Sequence, residues 1–171
     1  ERLASELARV GVKADEVNSL ANSPGLQFNE TESGILLSHS DDLWYFDVAA
    51  GTLKRLTNNK AEEMEPDFSP DGKLVSFVRG NNLFVVDIAK ANEKQLTRDG
   101  REGDKPIYNG YLDWIYEEEL YGRGNKRFYW WSPDSKYLAF LRLDEEKVPK
   151  FIVPNDIPID QGSVFGCGVA S

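Results

Sequence analysis

With 171 residues, 40% of them hydrophobic and 12% aromatic, the chain suits one folded domain, or one and a piece, rather than a disordered polymer. Its net charge of −9 excludes a nucleic-acid surface, which needs clustered Lys and Arg, and its single cysteine, Cys167, excludes an internal disulfide; with no Cys/His cluster for zinc, no metal and no cofactor are expected. No run of about 20 apolar residues is present to span a membrane and no signal peptide is read, while a start at Glu1 rather than Met reads as a chain processed or cut from a longer protein.

The spacing of Leu3, Leu7 and Val10 predicts a short helix over 2–9, and that of Val17, Leu20 and Ala21 a second over 15–22. Gly11 separates them, and Ser23-Pro24-Gly25 ends the second. Both are too short to be stable alone and must pack on something. Residues 1–25 therefore read as a helical lead-in.

From Phe28 the pattern changes to short strands and turns, and it repeats. Leu43-Trp44-Tyr45-Phe46-Asp47-Val48 matches Leu83-Phe84-Val85-Val86-Asp87-Ile88, Leu56-Thr57 matches Leu96-Thr97, and Phe28 matches Phe68, each pair 40 residues apart. A period near 40 with about four strands per unit is the pattern of β-propeller blades. Within one unit, Ser69-Pro70-Asp71-Gly72 is a tight turn, Lys73 to Val78 a strand and Asn81-Asn82 a hairpin turn. Leu83 to Ile88 follows as a strand buried on both faces, and Lys94 to Thr97 starts the outer strand. A third unit opens at Trp131-Ser132-Pro133-Asp134 and continues through Tyr137 to Leu141. The predicted fold is mainly β: a partial β-propeller of two to three blades over 26–151, with the helical lead-in before it. Closure takes at least four blades, so exposed sheet edges are expected.

From Phe68 to Trp131 is 63 residues rather than 40, so about 23 residues are inserted between the second and third units. Insertions in repeat proteins fall on loop faces, which are commonly binding faces. Inside this one lies Asp113-Trp114-Ile115-Tyr116-Glu117-Glu118-Glu119-Leu120. Asp113 is placed to N-cap a short acidic helix whose first turns carry the glutamates, where the helix dipole favours negative charge. Neighbouring residues on a helix project about 100° apart. The residues alone leave two readings: a solvated helix start, or a pair of carboxylates converging on one cation.

Weaker candidates accompany this stretch. His39, the only histidine, reads as a surface or strand residue rather than a base. Asn29-Glu30-Thr31 matches the glycosylation sequon, and Gly122-Arg123-Gly124 is too short for a phosphate cradle. Tyr116, Phe128, Tyr129, Trp130 and Trp131 read as core more than as a ligand cage, with Tyr116 placed to flank the glutamates. Pro149, Pro154 and Pro158 break regular structure, and Gln161 to Ser171 has three glycines and no charge, so 152–171 reads as an irregular tail or truncated continuation.

Asn109-Gly110, the stretch Asp113 to Glu119, Tyr129-Trp130-Trp131-Ser132-Pro133-Asp134, Asp144-Glu145 and Val148-Pro149 together resemble the N-terminal propeller of the dipeptidyl peptidase IV family. The resemblance runs from about Phe28 to Phe151; the Gly-rich tail departs from it. In that family the propeller caps an α/β-hydrolase domain, and the two together release dipeptides from peptide N-termini, preferring proline or alanine at the second residue. The resemblance implies that Glu118 and Glu119 match the family's glutamate pair, which binds the substrate's free α-amino group. Glu117 matches the preceding acidic residue, which is not the anchor. The implied partners are a peptide with a free N-terminus and the hydrolase domain of a parent chain, with a homodimer possible. The implied location is periplasmic or extracellular. The family's substrate-binding arginine is not assigned, since Arg55 and Arg79 both sit at ordinary repeat positions.

No nucleophile elbow Gly-x-Ser-x-Gly is present; Gly162-Ser163-Val164-Phe165-Gly166 has its serine one place early. No catalytic residue is therefore assigned, and the chain by itself is not expected to hydrolyse peptides. The rival reading is a non-catalytic propeller whose acidic loop binds a partner.

Overall fold

The computed structural model describes residues 1–149. The expected tail 152–171, with Pro154, Pro158, Cys167 and Gly162–Gly166, lies outside the described residues.

Two helices, α1 (Arg2–Arg9) and α2 (Ala14–Ala21), precede two four-stranded antiparallel sheets. The first sheet holds β1 (Gln27–Phe28), β2 (Gly34–His39), β3 (Asp42–Asp47) and β4 (Thr52–Arg55); the second holds β5 (Met64–Phe68), β6 (Leu74–Arg79), β7 (Asn82–Asp87) and β8 (Asn92–Gln95). Each runs in simple sequence order, as a blade of hairpin-linked strands does. A third unit is partial: β10 (Tyr129–Trp131) pairs with β11 (Leu138–Phe140), and β12 (Arg142–Asp144) pairs with β9 (Ile107–Asn109). The chain is a partial β-propeller of two complete blades and part of a third.

The 40-residue period is visible atom by atom. In the first blade the Leu43 N–H donates to Thr57 Oγ1 at 2.8 Å and the Leu56 N–H to the Leu43 carbonyl at 2.8 Å. In the second the Leu83 N–H donates to Thr97 Oγ1 at 2.9 Å and the Leu96 N–H to the Leu83 carbonyl at 2.8 Å. The repeated Leu-Thr pair thus satisfies the backbone where the outer strand leaves the third one.

Alternation along the strands sends side chains to both faces, and each face meets the next layer. Leu36, Leu43 and Leu56 of the first blade pack against Phe68, Val75, Phe77, Phe84, Val86 and Ile88 of the second. The opposite face of the second blade, through Val78 and Leu83, packs on Tyr129 of the third unit. Phe77 and Phe84 stack at 5.5 Å. The outer side of the first blade, Ile35, Leu37, Phe46 and Leu53, is covered by Leu3, Leu7, Val12 and Val17 of the two helices. The Leu53 N–H on edge strand β4 donates to Glu6 Oε2 at 3.1 Å. This is how two helices too short to stand alone persist, and how that edge is blunted.

Three local expectations shift. The second-blade hairpin turns at Gly80-Asn81, not Asn81-Asn82, because Arg79 pairs with Asn82. A two-residue turn of this kind needs positive φ at both central positions, and Gly80 (φ 53°) and Asn81 (φ 57°) supply it. Strand β8 starts at Asn92 rather than Lys94, since Asn92 pairs with Asp87. Part of the insertion becomes strand β9 and adds to β12.

Candidate functional site

The insertion leaves the third unit through a narrow neck. The Leu112 N–H donates to the Lys126 carbonyl and the Phe128 N–H to the Gly110 carbonyl, both at 3.0 Å, and Tyr111 bridges Arg127. Leu112 and Phe128 are buried beneath it. Above the neck, Asp113 Oδ1 accepts the Tyr116 N–H at 2.7 Å, the cap that its position predicts. The turn it starts is wider than an α-helix: over Tyr116–Leu120 it is a π-turn, closed by the Tyr121 N–H on the Tyr116 carbonyl at 3.0 Å. Such turns appear mostly as single insertions, frequently at functional sites.

The three consecutive glutamates have three different fates. Glu117 is turned inward and buried; its Oε1 accepts the Gly124 N–H at 3.0 Å and its Oε2 lies 3.4 Å from Lys126 Nζ. Its carboxylate fastens the far side of the loop to the helix. Glu118 is partly exposed and its Oε2 lies 2.6 Å from Nε of Arg123, a residue 84% exposed. Glu119 is exposed.

Charged groups crowd the base of the insertion. Burial pushes the Glu145 carboxyl up to about 7, and a hydrogen bond with Asp113 and that residue's negative charge push the same way. Glu65 stands at the bulge in β5 with φ 51° and is also raised, first by burial, against the pull of Arg127 and Lys126. Its backbone carbonyl accepts the Tyr129 hydroxyl, so the first strand of the second blade is tied to the third unit. Arg127 pairs with Asp67 of that strand at 2.8 Å.

The weaker candidates fall out. His39 ends β2, where its ring lies 3.2 Å from Ser40 Oγ. Asn29 is buried, with Oδ1 accepting the Ser33 and Gly34 N–H groups and Nδ2 bonded to Ser33 Oγ, so its amide is not presented for glycosylation. Arg55 pairs with Asp42, and Arg79 with Glu63 and Glu93. Of the aromatic set, Phe128 and Tyr129 are core as expected, but Tyr116 and Trp130 are exposed. Tyr116 stacks on Tyr121 beside the glutamates at 6.3 Å, and Trp130 meets Phe128 edge-on at 5.2 Å. Sequence reasoning missed Arg123 as a partner of Glu118 and Glu145 as a partner of Asp113. Among the described residues no group of three His, Cys, Asp or Glu side chains is placed to hold a metal, and no helix is long and apolar enough to cross a membrane.

Two four-stranded antiparallel blades and part of a third, with an acidic insertion between the second and the third, define a partial β-propeller. Residues 26–161 match the family model of the dipeptidyl peptidase IV (DPP IV) N-terminal region, and the chain belongs to that family. It is 40% identical over 110 residues to a probable dipeptidyl-aminopeptidase B of Talaromyces stipitatus, covering 63% of this chain and 12% of that protein. To a probable dipeptidyl peptidase 4 of Neosartorya fischeri it is 40% identical over 118 residues, covering 68% and 14%. Among solved structures it resembles dipeptidyl peptidase 4 of Porphyromonas gingivalis with a TM-score of 0.62 and 34% identity, over 74% of this chain and 19% of that one. The chain thus spans 12% to 19% of the length of these relatives.

Proposed function

We propose that this chain is the substrate-anchoring part of a serine exopeptidase that removes dipeptides from free N-termini, with proline or alanine preferred second. In this reading Glu118 and Glu119 hold the substrate's α-amino group. The observation that carries it is the division of labour among the three carboxylates. Glu117 is committed to Lys126 and the Gly124 N–H, whereas Glu118 meets the solvent-exposed Arg123 and Glu119 is exposed. An ammonium has three donors, and two carboxylates accepting charge-assisted bonds from it fix its position. The distance from that anchor to a nucleophile in the hydrolase domain then counts out two residues, and binding energy at the anchor orients the scissile bond. Both the family match and the relatives' names support a dipeptidyl peptidase over a stand-alone acidic binding module.

The test is steady-state kinetics of the full-length protein on a dipeptidyl substrate with proline second. Removing a hydrogen bond to a charged group costs about 1.5–3 kcal/mol, so Glu118→Ala and Glu119→Ala should each lower kcat/KM about 10- to 100-fold. Unchanged turnover in both variants contradicts the anchor.

A further inference from the structure

The Arg123 guanidinium stands on the carboxylate that the proposed function assigns to the substrate. Arg123 Nε lies 2.6 Å from Glu118 Oε2, well within ion-pair distance. Around it the chain gives the arginine freedom at its base and a fixed frame behind. Gly122 (φ 90°) and Gly124 (φ 83°) flank it, both in the left-handed region and both with open space where a Cβ would sit. The frame is closed by the Asn125 N–H on the Gly122 carbonyl at 3.2 Å and by Glu117 on the Gly124 N–H at 3.0 Å. The arginine side chain is 84% exposed and the Glu118 side chain 24% exposed, so the cation reaches inward from solvent to a carboxylate that is mostly covered.

We propose that Arg123 is a specificity-determining residue: an internal cation that occupies Glu118 when no substrate is bound and that a free peptide amine must displace. The inference rests on the anchor reading of Glu118 and adds to it a built-in competitor. Its physical logic is that of a binding-competent state populated only part of the time, which weakens apparent affinity by the fraction competent. A guanidinium stays charged throughout the working pH range, so deprotonation does not relieve this competition. A peptide without a free amine gains nothing from Glu118 and leaves the pair closed. Arg123 therefore neutralises the anchor toward ligands that lack the matching charge, an instance of selection by a disfavoured alternative. Because the arginine is solvent-exposed, the competing pair is weak, and the amine can win.

The experiment uses the full-length protein carrying this chain, with a chromogenic Xaa-Pro substrate. Arg123→Gln and Arg123→Ala should lower KM about two- to fivefold, the range that opening an exposed ion pair supplies, with kcat unchanged. Arg123→Lys, which keeps the charge, should restore most of the original KM. In a Glu118→Ala background, replacing Arg123 should leave KM unaltered. Guanidinium added as a soluble probe should inhibit Arg123→Ala competitively and more strongly than it inhibits the unaltered protein. Unfolding midpoints of all variants serve as the check on folding. A KM that stays the same or rises in Arg123→Gln while Glu118→Ala lowers kcat/KM overturns the competitor and leaves the anchor standing. A Glu118→Ala variant with unchanged kinetics overturns the anchor itself.

Discussion

In the second blade Phe77, Val78, Leu83 and Val86 are wholly enclosed, while on the acidic insertion Trp114, Ile115 and Leu120 face solvent. The blades keep their shape through apolar layers, repeated at a fixed period and reinforced by the same Leu-Thr hydrogen bonds. The insertion keeps its shape through a few polar ties: the Asp113 cap, the Glu117 pair and the neck bonds around Leu112 and Phe128. Non-directional burial tolerates changes in surface chemistry, whereas a handful of directed bonds sets the aim of two carboxylates and is sensitive to each one. The scaffold is thus robust where burial shapes it, and sensitive to single changes where a few directed bonds do.

That contrast can be broken most forcefully at Phe77. Phe77→Ala empties the middle of the interblade layer and should destabilise the folded protein by about 3–5 kcal/mol, whereas Trp114→Ala should cost at most about 0.5 kcal/mol. Denaturant unfolding of the two variants reads the difference, and equal losses would contradict it. A smaller loss is expected from Thr97→Val, which strands the Leu83 N–H and should cost about 1–3 kcal/mol. Thr57→Val should cost more than Thr97→Val, because Thr57 Oγ1 donates to the carboxyl of Glu63, whose side chain is 1% exposed, where Thr97 Oγ1 donates to the neutral amide of Asn82.

In the insertion the expected effects are local. Glu117→Ala frees the Gly124 N–H and leaves Lys126 without its carboxylate. Hydrogen exchange at the Gly124 amide should accelerate by about tenfold or more, the equivalent of one charged hydrogen bond, with little change in the blades. Glu117→Gln, which retains an acceptor, should sit in between. The smallest effect expected is pH-dependent. Glu145 has its carboxyl raised from 4.5 to about 7 by burial and by Asp113. A carboxyl that holds its proton longer folded than unfolded contributes stability in full below pH 4.5, and that contribution is lost as pH rises through about 7. Protection of the Tyr116 amide, which Asp113 caps, should therefore fall between pH 5 and 8. In Glu145→Gln that fall should disappear.

Much of the scaffold was legible because its signals are local or periodic. The match of Leu43–Val48 to Leu83–Ile88 places β3 and β7, and Ser69-Pro70-Asp71-Gly72 closes its turn with the Gly72 N–H on the Ser69 carbonyl at 2.8 Å. Asp113 announced its cap because capping depends on the next three residues alone. The misplaced hairpin turn reflects a choice between Gly80-Asn81 and Asn81-Asn82 that only the cross-strand register decides. The π-turn, the β9–β12 pairing and the contacts of Arg123 and Glu145 were not legible. Each joins groups whose approach depends on loop backbone angles or on strands far apart in sequence: Ile107 opposite Asp144, Asp113 opposite Glu145. Which of three neighbouring glutamates turns inward is likewise fixed by Lys126 and Gly124, not by the acidic run itself.

The most direct test of the amine anchor removes the same interaction from both sides. In the full-length protein, binding of a Xaa-Pro dipeptide amide and of its N-acetylated form would be compared for the unaltered chain and for Glu118→Ala/Glu119→Ala. The account expects acetylation to weaken binding to the unaltered protein by about 100-fold or more, and to change binding to the double variant by less than about threefold, because the acetyl group and the substitutions remove one and the same set of bonds. If acetylation costs as much in the double variant as in the unaltered protein, the two glutamates do not hold the peptide's amine.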